Sequence, residues 1–487
     1  MIGPFFSIRM GSSQFITTSG WPDGHSGISS GQPDPAAVSR GGTMILKSWM
    51  RSSLMRGLAC GALAPLAVLP FWDGSSTRPS GAALTPSIAG IAGTASAAPS
   101  IAEEWTDFRG PRRDGHYRGA PILTRWPGQG LKPLWRRTVG GGYASLALAE
   151  GRAFTIEQRG AREVVAAYDI RTGDEIWTHS WEAFFDESLG GDGPRATPTW
   201  HQGRIYALGA TGELHCLDAS EGRLIWSRNI LQDSRARNLT WGMSASPLIV
   251  EEKVIVLPGG SRGRSVAAYH KDTGNALWKS LSDKQAYTSP MWVTLAGQPQ
   301  LLIVSAKRMM GLSGEDGSLL WDFPWITDYD VNVAQPILLG QDRVFISAGY
   351  GHGAAAVQVE RTSTGFAAGA LWQNRRMKNK FTCSVLKDGF VYGLDEGILA
   401  CIRAETGELR WKGGRYGHGQ LLLAGDHLIV LTESGELVLV KADPERQQEL
   451  ARFSAIRGRT WNHPAISEGL LLVRNSEEMA CFDLALR

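Results

Sequence analysis

The chain has 487 residues, 43% of them hydrophobic and 20% charged, with 59 glycines and 18 tryptophans. That composition supplies a large core with many turns and aromatic packing, and it excludes a disordered chain. A net charge of +3, with no basic run interleaved with aromatics, excludes a dedicated nucleic-acid surface.

In chain order, residues 1–43 lack a sustained apolar period and carry many Gly, Ser and Pro, so they read as disordered or as an overlong gene start. Residues 44–97 read as an export signal region. Lys47, Arg51 and Arg56 precede the apolar run Leu58–Leu69, and Ala95-Ser96-Ala97 is an A-x-A cleavage site. A single membrane anchor is the other reading, but the run is short and contains Pro65. The expectation is an exported protein of the periplasm or cell envelope, monomeric, with no transmembrane span in the mature chain. Residues 98–130 read as an extension packing on the body of the fold, which occupies 131–487.

That body is repetitive. Gly-x-x-x-Trp recurs as Gly173/Trp177, Gly222/Trp226, Gly274/Trp278, Gly317/Trp321 and Gly407/Trp411, and a relative with a longer turn ends at Trp372. A spacing of about 40–50 residues, filled by short β-branched and aromatic runs, is propeller arithmetic. One repeat shows four strands: Ala196–Trp200 innermost, then Arg204–Leu208, Glu213–Leu217 and Leu224–Ser227. Asp218 and Gly222 supply the turn. Pro198, Pro247, Pro290, Pro336 and Pro464 mark where the chain enters or leaves the channel, because Pro is poorly tolerated inside a ladder. Cys216, Cys401 and Cys481 share a slot that Ala167 and Ala268 fill elsewhere. That makes them small core residues. No C-x-x-C supports zinc or haem attachment.

The count gives an all-β, eight-bladed β-propeller of four-stranded antiparallel blades. Its last three strands, in Trp461–Leu484, lack an outer strand. Leu131–Val139, which carries Trp135, supplies one and closes the ring. Seven blades is the alternative.

The phrase [AC]-x-D-x-x-x-G-x-x-x-W, as in AYDIRTGDEIW and CLDASEGRLIW, resembles the repeat of the PQQ-like (pyrroloquinoline quinone) β-propeller family. WTDFRGPRRDG at Trp105–Gly115 looks like the start of its exported bacterial members. The resemblance implies two opposed functions. Quinoprotein alcohol dehydrogenases hold PQQ and calcium in the ring and use an Asp as base. BamB-like members are docking platforms of the cell envelope without catalysis. The dehydrogenases typically cover PQQ with a disulfide between adjacent cysteines, and this chain has no such pair. A non-catalytic binding or scaffolding role is therefore ranked first, with envelope proteins, a small molecule or a polymer bound at the propeller face. A PQQ-dependent oxidoreductase is second. Carbohydrate or polymer binding at the channel mouth is third.

Site residues must lie in text that does not repeat. Trp241 and Trp461 fall outside the repeat slot, near innermost strands, and with Arg195, Asn462 and His463 they are the cofactor-binding candidates. For an enzyme, Asp192, Asp328 and Asp330 are the catalytic candidates. Asp328, Asp330 and Asn332 place oxygen donors at alternate positions and are the metal candidates. The glycine-rich loop Phe184–Arg195 is either a binding loop or a solvated connector. Tyr-Gly-His occurs twice, at Tyr350–His352 and Tyr416–His418.

Overall fold

The computed structural model describes residues 103–486, all within the unit Ala92–Arg487. The readings of residues 1–43 and 44–97 lie outside the described residues. Among the described residues no helix is long and apolar enough to cross a membrane.

Each repeat folds as its punctuation dictates. In the second blade Pro198 has no N–H to give a ladder. Pairing starts one residue later, at Thr199–His201, and continues through Arg204–Leu208, Glu213–Asp218 and Leu224–Asn229. The same offset holds after Pro247, Pro290, Pro336 and Pro464, where Leu248, Met291, Ile337 and Ala465 open innermost strands. The strand expected at Ala196–Trp200 is thus shorter and shifted: Ala196–Pro198 belong to the channel entry. The middle strands of each blade are buried on both faces between neighbouring blades, and Cys216, Cys401 and Cys481 lie fully inside them.

Eight such sheets make the ring. The eighth is composite: Trp135–Thr138 pairs antiparallel with Glu478–Asp483, with Trp135 opposite Cys481. The count is eight, not seven. The seventh blade has a fifth strand, His116–Tyr117, parallel to Gln420–Ala424.

The repeated glycine and tryptophan meet across the blade seams. A Cβ at Gly274 would lie 2.7 Å from the Trp226 ring, and one at Gly407 2.6 Å from Trp372. Both glycines have φ of +68°, so the position needs glycine twice over: for the left-handed turn and for the indole lying on it. The indole N–H then donates to a carbonyl of the next blade's turn, Trp135 to Ile170, Trp177 to Ala219, Trp226 to Lys271, Trp372 to Ala404 and Trp411 to Asp443. Two tryptophans depart from the rule: the buried Trp278 N–H has no partner among the described residues, and Trp321 meets a different neighbour. The next blade ends in a long hairpin, Gly353–Thr362 with Gly365–Asn374, without the Asp–Gly turn. The Trp321 N–H donates instead to Gln300 Oε1 of its own blade, at 2.6 Å.

The channel is filled by the segment 105–117. Trp105 pairs with Leu148 of the first blade. Arg113, 2% exposed, donates to the carbonyls of Ser246, Pro247 and Pro290 and pairs with Asp107 at 2.8 Å. Arg109 donates to Ser384 O at 2.7 Å. One short segment therefore ties the first, third, fourth, sixth and seventh blades together.

Candidate functional site

The chain enters each innermost strand through two channel-facing positions, one residue apart. The inner position is Ser145, Thr197, Ser246, Ser289, Gln335, Cys383, Gln420 and His463, one per blade, all buried. Several stitch neighbouring blades. The N–H of Ser145 donates to Thr197 Oγ1, that of Thr197 to Ser246 Oγ, that of Ser246 to Ser289 Oγ, and that of Gln335 to Cys383 Sγ. Ser145 Oγ closes the belt by donating to His463 O.

Two residues earlier in each blade stand Tyr143, Arg195, Ser244, Tyr287, Val333, Phe381, His418 and Trp461. All eight line one cavity of about 450 Å³, within the range of about 300–1,000 Å³ usual for small-ligand sites. Phe108 of the filling segment, with Ser289, Cys383, Gln420 and His463, forms its floor, and Leu189, Trp241, Tyr350 and Lys380 extend its wall. The ring contacts form a continuous, tilted series: Tyr143–Trp461 at 5.3 Å, Trp461–Phe381 at 4.7 Å and Phe381–His418 at 5.1 Å. Cations sit on Trp461 and on two further rings nearby, Phe185 and Tyr350. Arg459 lies 4.4 Å over Trp461, Arg195 4.6 Å over Phe185, and Lys380 5.0 Å over Tyr350. Cation–π contact of this kind favours arginine over a flat indole.

Among the described residues no aspartate or glutamate lines the cavity. Glu433 stands behind its wall. Burial works to raise its carboxyl, but the His418 backbone N–H and the Trp461 indole N–H, at 3.0 and 2.8 Å, hold it below the usual range. Burial lowers the imidazoles of His418 and His463, the latter far below its ordinary value with Arg109 nearby. Both are neutral at pH 7. Burial also lowers the Arg195 guanidinium, against the opposing pull of Tyr143 and Glu187.

The structure brings four of the five cofactor candidates, Trp241, Trp461, Arg195 and His463, to this cavity. Asn462 is not on it: its amide donates to Gly142 and Ala144 carbonyls and fastens the eighth blade to the first. Asp192 lies in a separate shallow groove with Gln158 and Phe184. Asp328 and Asp330 sit in a tight three-residue turn in which Tyr329 and Asp330 have positive φ, and Asp330 is claimed by Lys284 and Lys307 at 2.9 and 2.6 Å. Asn332 is buried, with its amide donating to Ser305 O and its Oδ1 accepting from Thr327. Asp328, Asp330 and Asn332 therefore do not converge as ligands around one point. Of the two Tyr-Gly-His copies, opposite ends reach the cavity: Tyr350 from one and His418 from the other. The cysteines 216, 383, 401 and 481 are free.

Reading the sequence missed Tyr143, Tyr287, Lys380, Phe381 and the floor residue Phe108. The wall signal was present. In the five blades with an entry proline, the wall residue stands three positions before it: Arg195, Ser244, Tyr287, Val333 and Trp461. Phe108 carries no repeat register and could be placed only by the fold.

A family profile described as outer membrane protein assembly factor BamB matches residues 161–413. The quinohemoprotein alcohol dehydrogenase of Comamonas testosteroni is 32% identical over 130 residues, covering 24% of this chain and 17% of that protein. BamB of Shewanella oneidensis is 22% identical over 315 residues, covering 61% of this chain and 76% of that protein. Among solved structures, BamB from Moraxella catarrhalis superposes with a TM-score of 0.52 at 15% identity, over 73% of this chain and 98% of that one. A likeness at that identity speaks for the fold alone. The chain belongs to the PQQ-like repeat propellers of the family described as outer membrane protein assembly factor BamB.

Proposed function

We propose that this protein is a non-catalytic binding propeller of the cell envelope, and that the aromatic funnel is its binding site. The observation that carries the reading is the lining itself: flat rings and cations, one wall residue from every blade, and no carboxylate. Flat walls offer stacking area and the cations offer charge recognition. The basic-then-apolar run at 44–69 and the envelope role named in the BamB relatives support the location. Fractionation that left the protein in the cytoplasm would contradict it.

The second reading, a PQQ-dependent oxidoreductase, draws on the likeness to quinohemoprotein alcohol dehydrogenases. The flat walls would suit a quinone. Calcium does not fit the site. It takes about six to eight oxygen ligands, carboxylates prominent among them, and the lining among the described residues supplies no carboxylate, while Asp330 is already neutralised by two lysines. Removal of the alcohol proton needs a positioned base, and among the described residues no aspartate or glutamate lines the cavity. No step through PQQ and calcium is therefore derived. The test is calorimetric titration with PQQ in calcium and in EDTA. Equal affinities, or no binding, agree with the non-catalytic reading. A tightening of about tenfold or more in calcium, which corresponds to about 1.4 kcal/mol, would reveal a metal site in the funnel and favour the enzyme.

A further inference from the structure

We propose that the funnel face of the ring docks on a bilayer of anionic phospholipid, its arginines on the phosphates and its apolar loop tips among the headgroups. Docking of this kind does not depend on what the funnel holds. Antiparallel strands alternate in direction, so each blade sends its connections to two faces. The link into the innermost strand and the turn between the second and third strands lie on one face, and the other two turns lie on the opposite face. Trp461 and Lys380 from such links, and Tyr350 from such a turn, line the cavity, which makes the first of these the funnel face.

The two faces carry opposite charge. Between the strands, the funnel face holds 14 Lys or Arg and 10 Asp or Glu, whereas the opposite face holds 4 and 16. Part of the acidity opposite is turn chemistry: Asp316 and Asp443 accept backbone N–H groups of their own turns. No turn geometry calls for the arginines. Arg235, Arg237, Arg262, Arg375, Arg415 and Arg457 are exposed or nearly so on the funnel face, and their guanidinium groups make no ion pair or hydrogen bond among the described residues. Of the acids on that face, Asp283, Asp330 and Glu396 are already held by Arg308, by Lys284 with Lys307, and by Lys378.

The same face carries the most exposed apolar side chains. Phe184 and Leu189, 54% and 69% exposed, stand in the link into the second blade, and Ile326 and Tyr329, 58% and 83% exposed, in the link into the fifth. Among the described residues the one other large hydrophobic side chain more than half exposed is Leu486. Tyr329 has a φ of 63°, a left-handed backbone that an aromatic residue rarely adopts, and its ring is held out into solvent.

This arrangement fits a lipid surface better than a protein one. A protein interface gathers its apolar side chains at the centre, under a polar rim. Here the centre is the open funnel. The apolar tips stand at two places on the ring, with Arg235, Arg237 and Arg262 between them on one side and Arg375, Arg415 and Arg457 on the other. Scattered aromatic and aliphatic tips settle at headgroup depth, and arginines beside them meet the lipid phosphates. The acidic opposite face is repelled by the same surface, which sets the orientation of the ring.

The test uses the full chain with Cys60→Ser, which leaves only the four buried cysteines. A single further thiol, from Tyr329→Cys on the funnel face or Glu315→Cys on the opposite face, carries a nitrobenzoxadiazole dye that brightens in a lipid environment. Both variants keep the same N-terminal residues, so a difference between them reports the orientation of the propeller. With phosphatidylglycerol vesicles the dye at residue 329 should brighten by about twofold or more and the dye at residue 315 should not change. Phosphatidylcholine vesicles should move neither, and salt should weaken the response at 329. Arg237→Glu, Arg375→Glu and Arg415→Glu combined should raise the lipid concentration at half-response by roughly tenfold or more, with thermal unfolding run alongside to confirm folding. Equal responses at 329 and 315, an equal response to phosphatidylcholine, or indifference to the three charge reversals would each overturn the inference. If vesicles leave 329 silent while soluble poly-glutamate binds the parent and not the triple variant, the face docks an acidic polypeptide and the lipid inference falls. None of these outcomes alters the calorimetric test of the funnel.

Discussion

At the scale of the residue, the glycine of each repeat serves the turn of its own blade and the indole of the blade before. Gly274→Ala therefore meets two penalties, a side chain at φ of +68° and a Cβ 2.7 Å from the Trp226 ring. Left-handed strain costs about 1–2 kcal/mol and overpacking about 1–3. A loss of roughly 2–4 kcal/mol in denaturant unfolding is expected, whereas Gly151→Ala, which has open space around it, should cost only the strain. A second residue-scale prediction concerns Glu163. Its carboxyl is fully buried between the first two blades. Burial pushes its pKa up to about 7, despite hydrogen bonds from the Ala210 N–H and the Trp181 indole. The unfolded value is near 4.5, so the unfolded chain releases its proton first as pH rises. The stabilising contribution is complete below about pH 4.5 and is lost on rising through 7, a change on the order of 3 kcal/mol. Glu163→Gln should flatten the fall in stability between pH 5 and 7, on the order of that window. An unchanged slope would assign the titration to another group.

At the scale of the element, the segment 105–117 acts as an axial pin. Arg113 satisfies three carbonyls from the third and fourth blades and pairs with Asp107. Arg113→Met removes the donor to the Ser246 and Pro290 carbonyls and the ion-pair partner of Asp107, while the Pro247 carbonyl keeps the Thr199 hydroxyl. Breaking a buried pair from one side costs about 3–5 kcal/mol. Hydrogen exchange should accelerate most in the entry strands at 248–250 and 291–295, and far less in the closing strand Trp135–Thr138. Uniform acceleration around the ring would show that the segment does not pin particular blades. The closing strand itself was legible in advance. Trp135 precedes the first full repeat, and three strands at the other end lacked a partner, so the pairing followed from counting. The pin was not legible. Its arginines bond to backbone carbonyls far along the chain, and no periodicity relates them to those partners.

At the scale of the whole molecule, the fold was readable because it is written eight times. Turn glycine and seam tryptophan agree at five copies, Gly173/Trp177, Gly222/Trp226, Gly274/Trp278, Gly317/Trp321 and Gly407/Trp411, and the structure confirms eight blades. The funnel was readable only in part. Trp241, Trp461, Arg195 and His463 stand out as residues that break the repeat, and they lie on the cavity. Tyr287 does the same work and emerges once the copies are aligned on the entry prolines, whereas Tyr143 and Phe381 enter blades that have no such proline and look like ordinary aromatics. Asn462 sits beside two lining residues yet turns inward to hold a seam, a difference of orientation that composition does not carry. Asp328, Asp330 and Asn332 show the reverse case. Their spacing suggests a cation, but the lysines opposite Asp330 come from distant turns, at Lys284 and Lys307, and satisfy it first.

The account as a whole rests on a funnel of rings and cations that binds without turnover. Dye-linked oxidation of short-chain alcohols, with PQQ and calcium supplied, measures this most directly, comparing the protein with its Trp461→Ala variant. The prediction is that both give the rate of cofactor alone. A rate well above that background in the parent protein, lost in the variant, would contradict the account and place catalysis in the funnel.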